Sequence, residues 1–126
     1  MKKIDRDEVC KVLVGLSKQY PTKHNYYYDD MTCKHFTKSN APSCLVGHAL
    51  VILCPDVKRK GRETVFGQGL DPMRTGDTYF NRFTKGAYRL LVRAQGVADY
   101  GGTAARCQSA WNWSEVVDCL RLRPKN

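Results

Sequence analysis

Two pairs of cysteine and histidine residues have a spacing that could hold a metal ion. Cys33 and His35 are two residues apart, and Cys44 and His48 are four residues apart. Side chains two apart share a face of a strand and side chains four apart share a face of a helix, so a hairpin packed on a helix would bring all of them together. Thiolate and imidazole groups are the ligands of tetrahedral zinc sites. The pattern is compatible with a zinc centre, although the C-x-x-C spacing of common zinc modules is absent.

The competing interpretation, which we favour, is that the cysteines are small core residues. The chain has six cysteines, and Cys10, Cys54 and Cys119 each lie among aliphatic residues in predicted helices. Free cysteine is among the most buried residue types, and disulfides are rare in a reducing compartment. We therefore expect no cofactor, with zinc at the first two pairs as the alternative.

Cys44 also lies near the start of a predicted helix, a position that suggests nucleophilic catalysis. The amino end of a helix stabilises a thiolate and so lowers the pKa of a cysteine there. A cysteine hydrolase needs in addition a histidine that reaches the thiol, usually from a distant segment, and no histidine follows His48. Motifs typical of serine hydrolases, nucleotide-binding loops and zinc deaminases are missing. The sequence leans toward a protein without catalytic activity.

The strongest compositional signal is positive charge. Lysine and arginine total 21 against 12 acidic residues, a formal net charge of +9, which favours an anionic partner such as nucleic acid or an acidic protein surface. A charged face is also ordinary on any surface helix, and no helix-turn-helix or other DNA-reading motif is evident. The candidate binding residues form a basic run in a loop and a stripe along a helix: Lys58, Arg59, Lys60, Arg62, Arg82, Lys85, Arg89 and Arg93.

The first helix has clear boundaries in the sequence. Asp5 can accept hydrogen bonds from the first free amides, and Glu8 stands three residues on, as in a capping box. The helix should continue to about Gln19, because Pro21 cannot extend the hydrogen-bond ladder.

The stretch from Cys44 to Cys54 is apolar almost all the way round and predicts the central helix of the fold. It carries no charge and no strand-like alternation. Ser43 is the predicted N-cap, and Pro55 ends the helix. The rest of the chain is expected to pack around this element.

The remaining pattern predicts a mainly α (α+β) fold in a single domain, residues 1–126. Aromatic and β-favouring residues over 25–36 predict one small hairpin, and helices are expected over 85–99 and over 103–122, with a break near Asn112. Residues 55–78 are basic and rich in glycine, which predicts a flexible surface loop. The predicted fold has about four helices around the central apolar helix, and the hairpin packs on that central helix.

The location of the protein is predicted from what the sequence lacks. Acidic and basic residues follow Met1 at once, where a signal peptide would have an apolar run. The longest apolar stretch is too short to span a bilayer. We therefore expect a cytoplasmic protein that does not insert into a membrane.

Several short blocks resemble a group of small uncharacterised proteins of actinobacteria and their phages. The distinctive block is PSCLVGHAL, from Pro42 to Leu50, with Cys33 before it. This chain departs from the group at His35, where an aromatic residue is expected, and in a longer segment before Trp113. The resemblance implies an α-rich protein of phage or actinobacterial origin and implies no activity. The other matching blocks are Leu90-Leu91, Ala94-Gln95, Asp99, Gly101 and Trp113 to Val116.

Together these patterns predict a small non-catalytic accessory protein of the phage type that binds a host macromolecule in the host cytoplasm. A host protein is the first expectation, because the basic faces supply a binding surface and the chain length leaves little room for an enclosed active site. A basic nucleic-acid-binding protein is the first alternative. A zinc-stabilised module or a thiol enzyme is the second.

Overall fold

A computed structural model of the protein describes residues 2–23, 44–56, 80–100 and 112–124. Within these ranges the chain is mainly helical, which confirms the predicted fold class in outline. The predicted hairpin and residues 57–78 of the predicted loop lie outside the described residues and stay predictions. The helices are α1 (Arg6–Gln19), α2 (Leu45–Leu53), α3 (Lys85–Tyr100) and α4 (Trp113–Leu120), and a 3-10 turn covers Phe80–Arg82.

Helix α1 begins and ends where its sequence predicts. The Asp5 carboxylate accepts a hydrogen bond from the Glu8 N–H at 2.9 Å, and the Glu8 carboxylate accepts one from the Asp5 N–H at 3.3 Å. This reciprocal capping box satisfies two amides that the helix cannot bond itself. The buried stripe of α1 consists of Val9, Cys10, Leu13, Leu16 and Ser17.

Helix α2 begins one residue later than its sequence predicts. Cys44, and not the predicted Ser43, is the N-cap, and its Sγ accepts a hydrogen bond from the Gly47 N–H at 3.2 Å. The backbone of Cys44 is extended (φ −139°, ψ 170°), which brings its side chain beside the free amides of the first turn. The sulfur therefore takes the place of the hydroxyl that the sequence suggested.

Helix α2 is buried along its first turns and partly exposed at its end. Leu45, Val46, Ala49 and Leu50 have no exposed surface, whereas Ile52 is 52% exposed. Within the described ranges, α1 is in contact with α2, α3 and α4. The central position of α2 stays a prediction.

Helices α3 and α4 each bury one apolar face. In α3 the buried positions are spaced as predicted for an amphipathic helix. In α4 the N-cap is Asn112, where the sequence predicts a break, and its side chain accepts from the Glu115 N–H at 2.9 Å. The apolar residues that these helices bury are Ala87, Tyr88, Leu90, Leu91 and Ala94 from α3, and Trp113, Val116, Val117 and Leu120 from α4.

A short parallel bridge joins the N-terminal segment to the start of α3. The Ile4 N–H donates to the Arg82 carbonyl at 2.8 Å, and the Thr84 N–H donates to the Ile4 carbonyl at 2.9 Å. Phe83, opposite Ile4, is 3% exposed and belongs to the core. Residues 4–6 therefore lie beside the start of α3, and Lys2 and Lys3 lie on the side of the 3-10 turn, a placement that no local pattern predicts.

None of the helices in the described ranges combines the length and the apolarity needed to cross a bilayer.

Candidate functional site

The predicted basic stripe on α3 is present on the surface. Lys85, Arg89 and Arg93 follow one another at four-residue steps and are all exposed, while the opposite face of the helix is buried. Four-residue steps keep the side chains on one face, about 6 Å apart along the axis. Among the residues that the structure describes, no acidic side chain forms an ion pair with any of these three. We call these three residues the α3 stripe.

Arg82, which the sequence placed in the same stripe, has a different role. Its Nη1 donates to the Asp56 carboxylate at 2.7 Å, so that it links the 3-10 turn to the segment after α2. The hydrogen bond that Arg82 donates to Asp56 raises the pKa of Arg82 above its ordinary value. Its charge is therefore largely compensated inside the molecule. The other predicted basic residues, Lys58, Arg59, Lys60 and Arg62, lie outside the described residues.

Cys44 was predicted as a zinc ligand or a nucleophile. In the structure its sulfur takes part in hydrogen bonds within the fold. Besides accepting from Gly47, its S–H donates to the Gln95 side-chain oxygen of α3 at 3.6 Å. The residue has no exposed surface, and Gln95 is only 7% exposed. A thiol that donates one hydrogen bond and accepts another is satisfied as a neutral group. This geometry favours the interpretation of Cys44 as a helix cap that also joins α2 to α3.

His48 lies one turn further along α2, in a cluster of aromatic and cationic groups. Its ring centroid is 5.0 Å from that of Trp113 and 6.4 Å from that of Tyr20. The Lys23 ammonium is 3.5 Å from His48 Nε2, 4.9 Å from the Tyr20 centroid and 5.3 Å from the Trp113 centroid. These distances are within the range of cation–π attraction. We call these four residues the Lys23 cluster.

The hydrogen bonds of His48 define its tautomer. Nδ1 is 2.9 Å from the carbonyl of Cys44, and a carbonyl only accepts, so Nδ1 carries the proton. Nε2 is then the acceptor that faces the Lys23 ammonium. The pKa of His48 lies below its ordinary value of 6.5, mainly because the ring is partly buried. The hydrogen bond to the Cys44 carbonyl raises this pKa, and the Lys23 charge lowers it. His48 is therefore neutral at pH 7.

This arrangement predicts that the protein loses stability as the pH falls below 6.5. The folded-state pKa of His48 is lowered, so the unfolded chain binds its proton first. Above pH 6.5, His48 is neutral in both states and the free energy of unfolding has its full value. As the pH falls toward the folded-state pKa, the unfolded chain takes up a proton that the folded protein does not, so the free energy of unfolding decreases. Urea titrations at closely spaced pH values measure this loss.

The matched control for the pH dependence is His48→Gln, whose amide can still donate to the Cys44 carbonyl but does not titrate. His24 and His35 are present in both proteins, so the difference between the two pH profiles reports His48 alone. A variant with the same slope between pH 6.5 and pH 5 as the parent chain would show that another group causes the effect.

The described residues contain two of the four predicted zinc ligands, Cys44 and His48. Cys33 and His35 lie outside the described residues, and in the described ranges no group of three or more His, Cys, Asp or Glu side chains could hold a metal ion. Cys44 and His48 use their side chains in the contacts above, and Lys23 would have to leave His48 Nε2 before a cation could bind there. Zinc therefore stays a hypothesis that these contacts do not favour.

The burial of the remaining cysteines agrees with prediction at two positions and differs at a third. Cys10 and Cys54 are 1% exposed, and burial raises the pKa of Cys54 to about 11. Cys119 is exposed, so the prediction that it is buried is wrong. It lies on α4 beside Asp118, between the two buried positions Val117 and Leu120, where the helix turns its polar face outward.

Sequence analysis missed the partners of Cys44 and His48. Gln95 and Trp113 were named as parts of motif blocks and not as partners of these side chains. Tyr20 and Lys23 stand at and after the end of α1, where their only local signal was that the helix stops. The chain matches no protein-family model, and neither a curated protein nor a solved structure matches it.

Proposed function

We propose that this protein is a non-catalytic accessory protein of the phage type, which acts by binding a host protein that presents an acidic surface. The supporting observation is the α3 stripe, since Lys85, Arg89 and Arg93 are exposed, aligned and without an acidic partner among the described residues. Uncompensated charges of one sign attract a surface of the opposite sign and increase the association rate. The phage context rests on the resemblance of the sequence blocks.

The surroundings of the stripe favour a protein partner over nucleic acid. The α3 positions next to the cations hold Val92 and Gly96, both half-buried. A mixture of arginine with apolar surface is typical of protein interfaces. Gln95, the amide side chain of α3, is buried against Cys44 and therefore cannot read base edges.

Nucleic-acid binding is the alternative, and it is supported by the same cations. Arginine and lysine one helical turn apart could contact successive phosphates without reading sequence. In that case the logarithm of the affinity would fall steeply with the logarithm of the salt concentration, and all sequences would be bound about equally.

The two functions are separated by affinity capture from host lysate with and without nuclease. We expect a specific host protein to survive nuclease treatment. The variant Arg89→Glu/Arg93→Glu should weaken its capture about thirtyfold, because charge reversal at an interface costs on the order of 1 kcal/mol at each position.

The matched control carries the same change in net charge at residues outside α3. Lys18, in the last turn of α1, and Arg123, after α4, are exposed, and Lys18→Glu/Arg123→Glu should leave the capture nearly unchanged. Equal losses in the two double variants would mean that only net charge matters, which contradicts a specific surface. Loss of every captured protein with nuclease would replace the proposal with nucleic-acid binding.

A further inference from the structure

The fold places a second set of cations beside the α3 stripe. The parallel bridge between Ile4 and Phe83 brings residues 4–6 to the start of α3 and leaves Lys2 and Lys3 on the side of the 3-10 turn before it. A β-carbon at Gly86 would lie 3.7 Å from Arg6 Cβ and 3.9 Å from Arg6 Cδ, so the aliphatic stem of Arg6 covers this glycine. Arg6 is exposed, as are Lys2 and Lys3 just before the bridge. Long basic side chains commonly pack their stems on apolar surface and keep the charge in water.

The acidic residues nearest to these cations bind elsewhere. The Asp5 and Glu8 carboxylates accept the hydrogen bonds of the α1 capping box, and Asp7 forms an ion pair with Lys11 at 3.1 Å. In the described ranges neither Lys3 nor Arg6 has an acidic side chain as an ion-pair partner. Both side chains therefore remain outside the ion pairs of this part of the molecule.

We infer that Lys2, Lys3 and Arg6 together with the α3 stripe form one docking surface for an acidic helical segment of a protein partner. This inference rests on the proposed function and specifies the chemistry of the partner. Cations at four-residue steps along α3 repeat about every 6 Å, and carboxylates at the same steps on a second helix repeat at the same distance. The complementary charges can thus meet over the full length of the stripe.

The surface also gives the bound segment a direction. Arg6 flanks the first turn of α3, and Lys2 and Lys3 lie just before it, so cationic side chains are most numerous at this end and fewer toward Arg93. Charge complementarity then favours a segment whose most acidic end lies at the start of α3. Farther along α3, half-buried Val92 would contact the apolar side of the bound segment.

The test uses fluorescence anisotropy with the full chain and two synthetic helical peptides. One peptide carries glutamate at every fourth position with added aspartates at one end, and the other has the same composition with its acids spread around the helix. We expect the first peptide to bind about tenfold more tightly, because only its charges align with the surface. A duplex DNA of equal net charge is the third probe, and tighter binding of the DNA than of either peptide would overturn the inference.

Variants separate a failure of this inference from a failure of the proposed function. Arg6→Glu and Arg89→Glu should each weaken the aligned peptide about fivefold, and Lys18→Glu should have little effect. Glutamate is favourable in the first turn of a helix, so Arg6→Glu is expected to fold, and Arg6→Gln gives a second variant that removes the charge only. If Arg89→Glu weakens binding and neither Arg6 variant differs from Lys18→Glu, the extended surface is wrong and the proposed function stands. If Arg89→Glu also has no effect, both are wrong.

Discussion

Replacing Trp113 by alanine should destabilise the protein by about 3–5 kcal/mol, the usual cost of removing a large buried aromatic side chain. Trp113 has no exposed surface and is the largest fully buried side chain of the described core. Its ring packs edge-on against Tyr20, with centroids 6.1 Å apart and an interplanar angle of 89°, and against His48 at 5.0 Å. The substitution therefore leaves a cavity and also removes a face that attracts the Lys23 ammonium.

Chemical denaturation followed by far-ultraviolet circular dichroism measures this loss, because the helical signal does not depend on the removed indole. The control is Trp113→Phe, which keeps an aromatic ring against Tyr20 and His48 and should cost clearly less than the alanine variant. Trp113→Ala should have a second effect. His48 becomes more hydrated without the indole ring, so the free energy of unfolding should depend less on pH below 6.5 than in the parent chain. A cost below about 1 kcal/mol for Trp113→Ala would contradict the buried position of this residue.

The second large effect concerns Cys44, where alanine and serine should behave differently. Cys44→Ala removes the acceptor for the Gly47 N–H and the donor to Gln95, so we expect a loss of about 1–2 kcal/mol, in the range measured for lost N-caps. Cys44→Ser keeps a donor and acceptor at the same position, and serine is a preferred N-cap residue. The serine variant should therefore be close to the parent chain in stability.

This pair of variants also tests the zinc and thiol hypotheses. Serine does not replace cysteine as a zinc ligand or as a thiolate nucleophile. If Cys44→Ser destabilises the protein as much as Cys44→Ala, and a chelator lowers the thermal midpoint of the parent chain, a metal centre at Cys44 and His48 is the better explanation. Thermal melts of the three proteins with and without chelator give both results. Our expectation is no effect of chelator and a loss in the alanine variant only.

The sequence by itself determined the features that depend on neighbouring residues. The capping box of Asp5 and Glu8 and the following proline set the ends of α1, because these signals act within one or two turns of the backbone. The buried and charged faces of α3 followed from its helical period, which places residues four apart on one side. Helix α4 begins after Asn112, where the sequence predicts a break, and the Asn112 side chain caps it, while the residues just before Asn112 lie outside the described ones. The α3 stripe could thus be named from the sequence.

The tertiary structure decided which distant residues meet, and no local pattern carries that information. The extended backbone at Cys44 made it the cap of α2 in place of Ser43. The ion pair with Asp56 separated Arg82 from the stripe, although its spacing matched.

Arg6 joined the surface of α3 because a bridge between segments nearly eighty residues apart in the chain places it over Gly86. The Lys23 cluster likewise forms where the end of α1 meets α2 and α4. Periodicity tells which face of a helix is buried, but the contacts between faces depend on how the helices pack, and packing is a property of the whole chain.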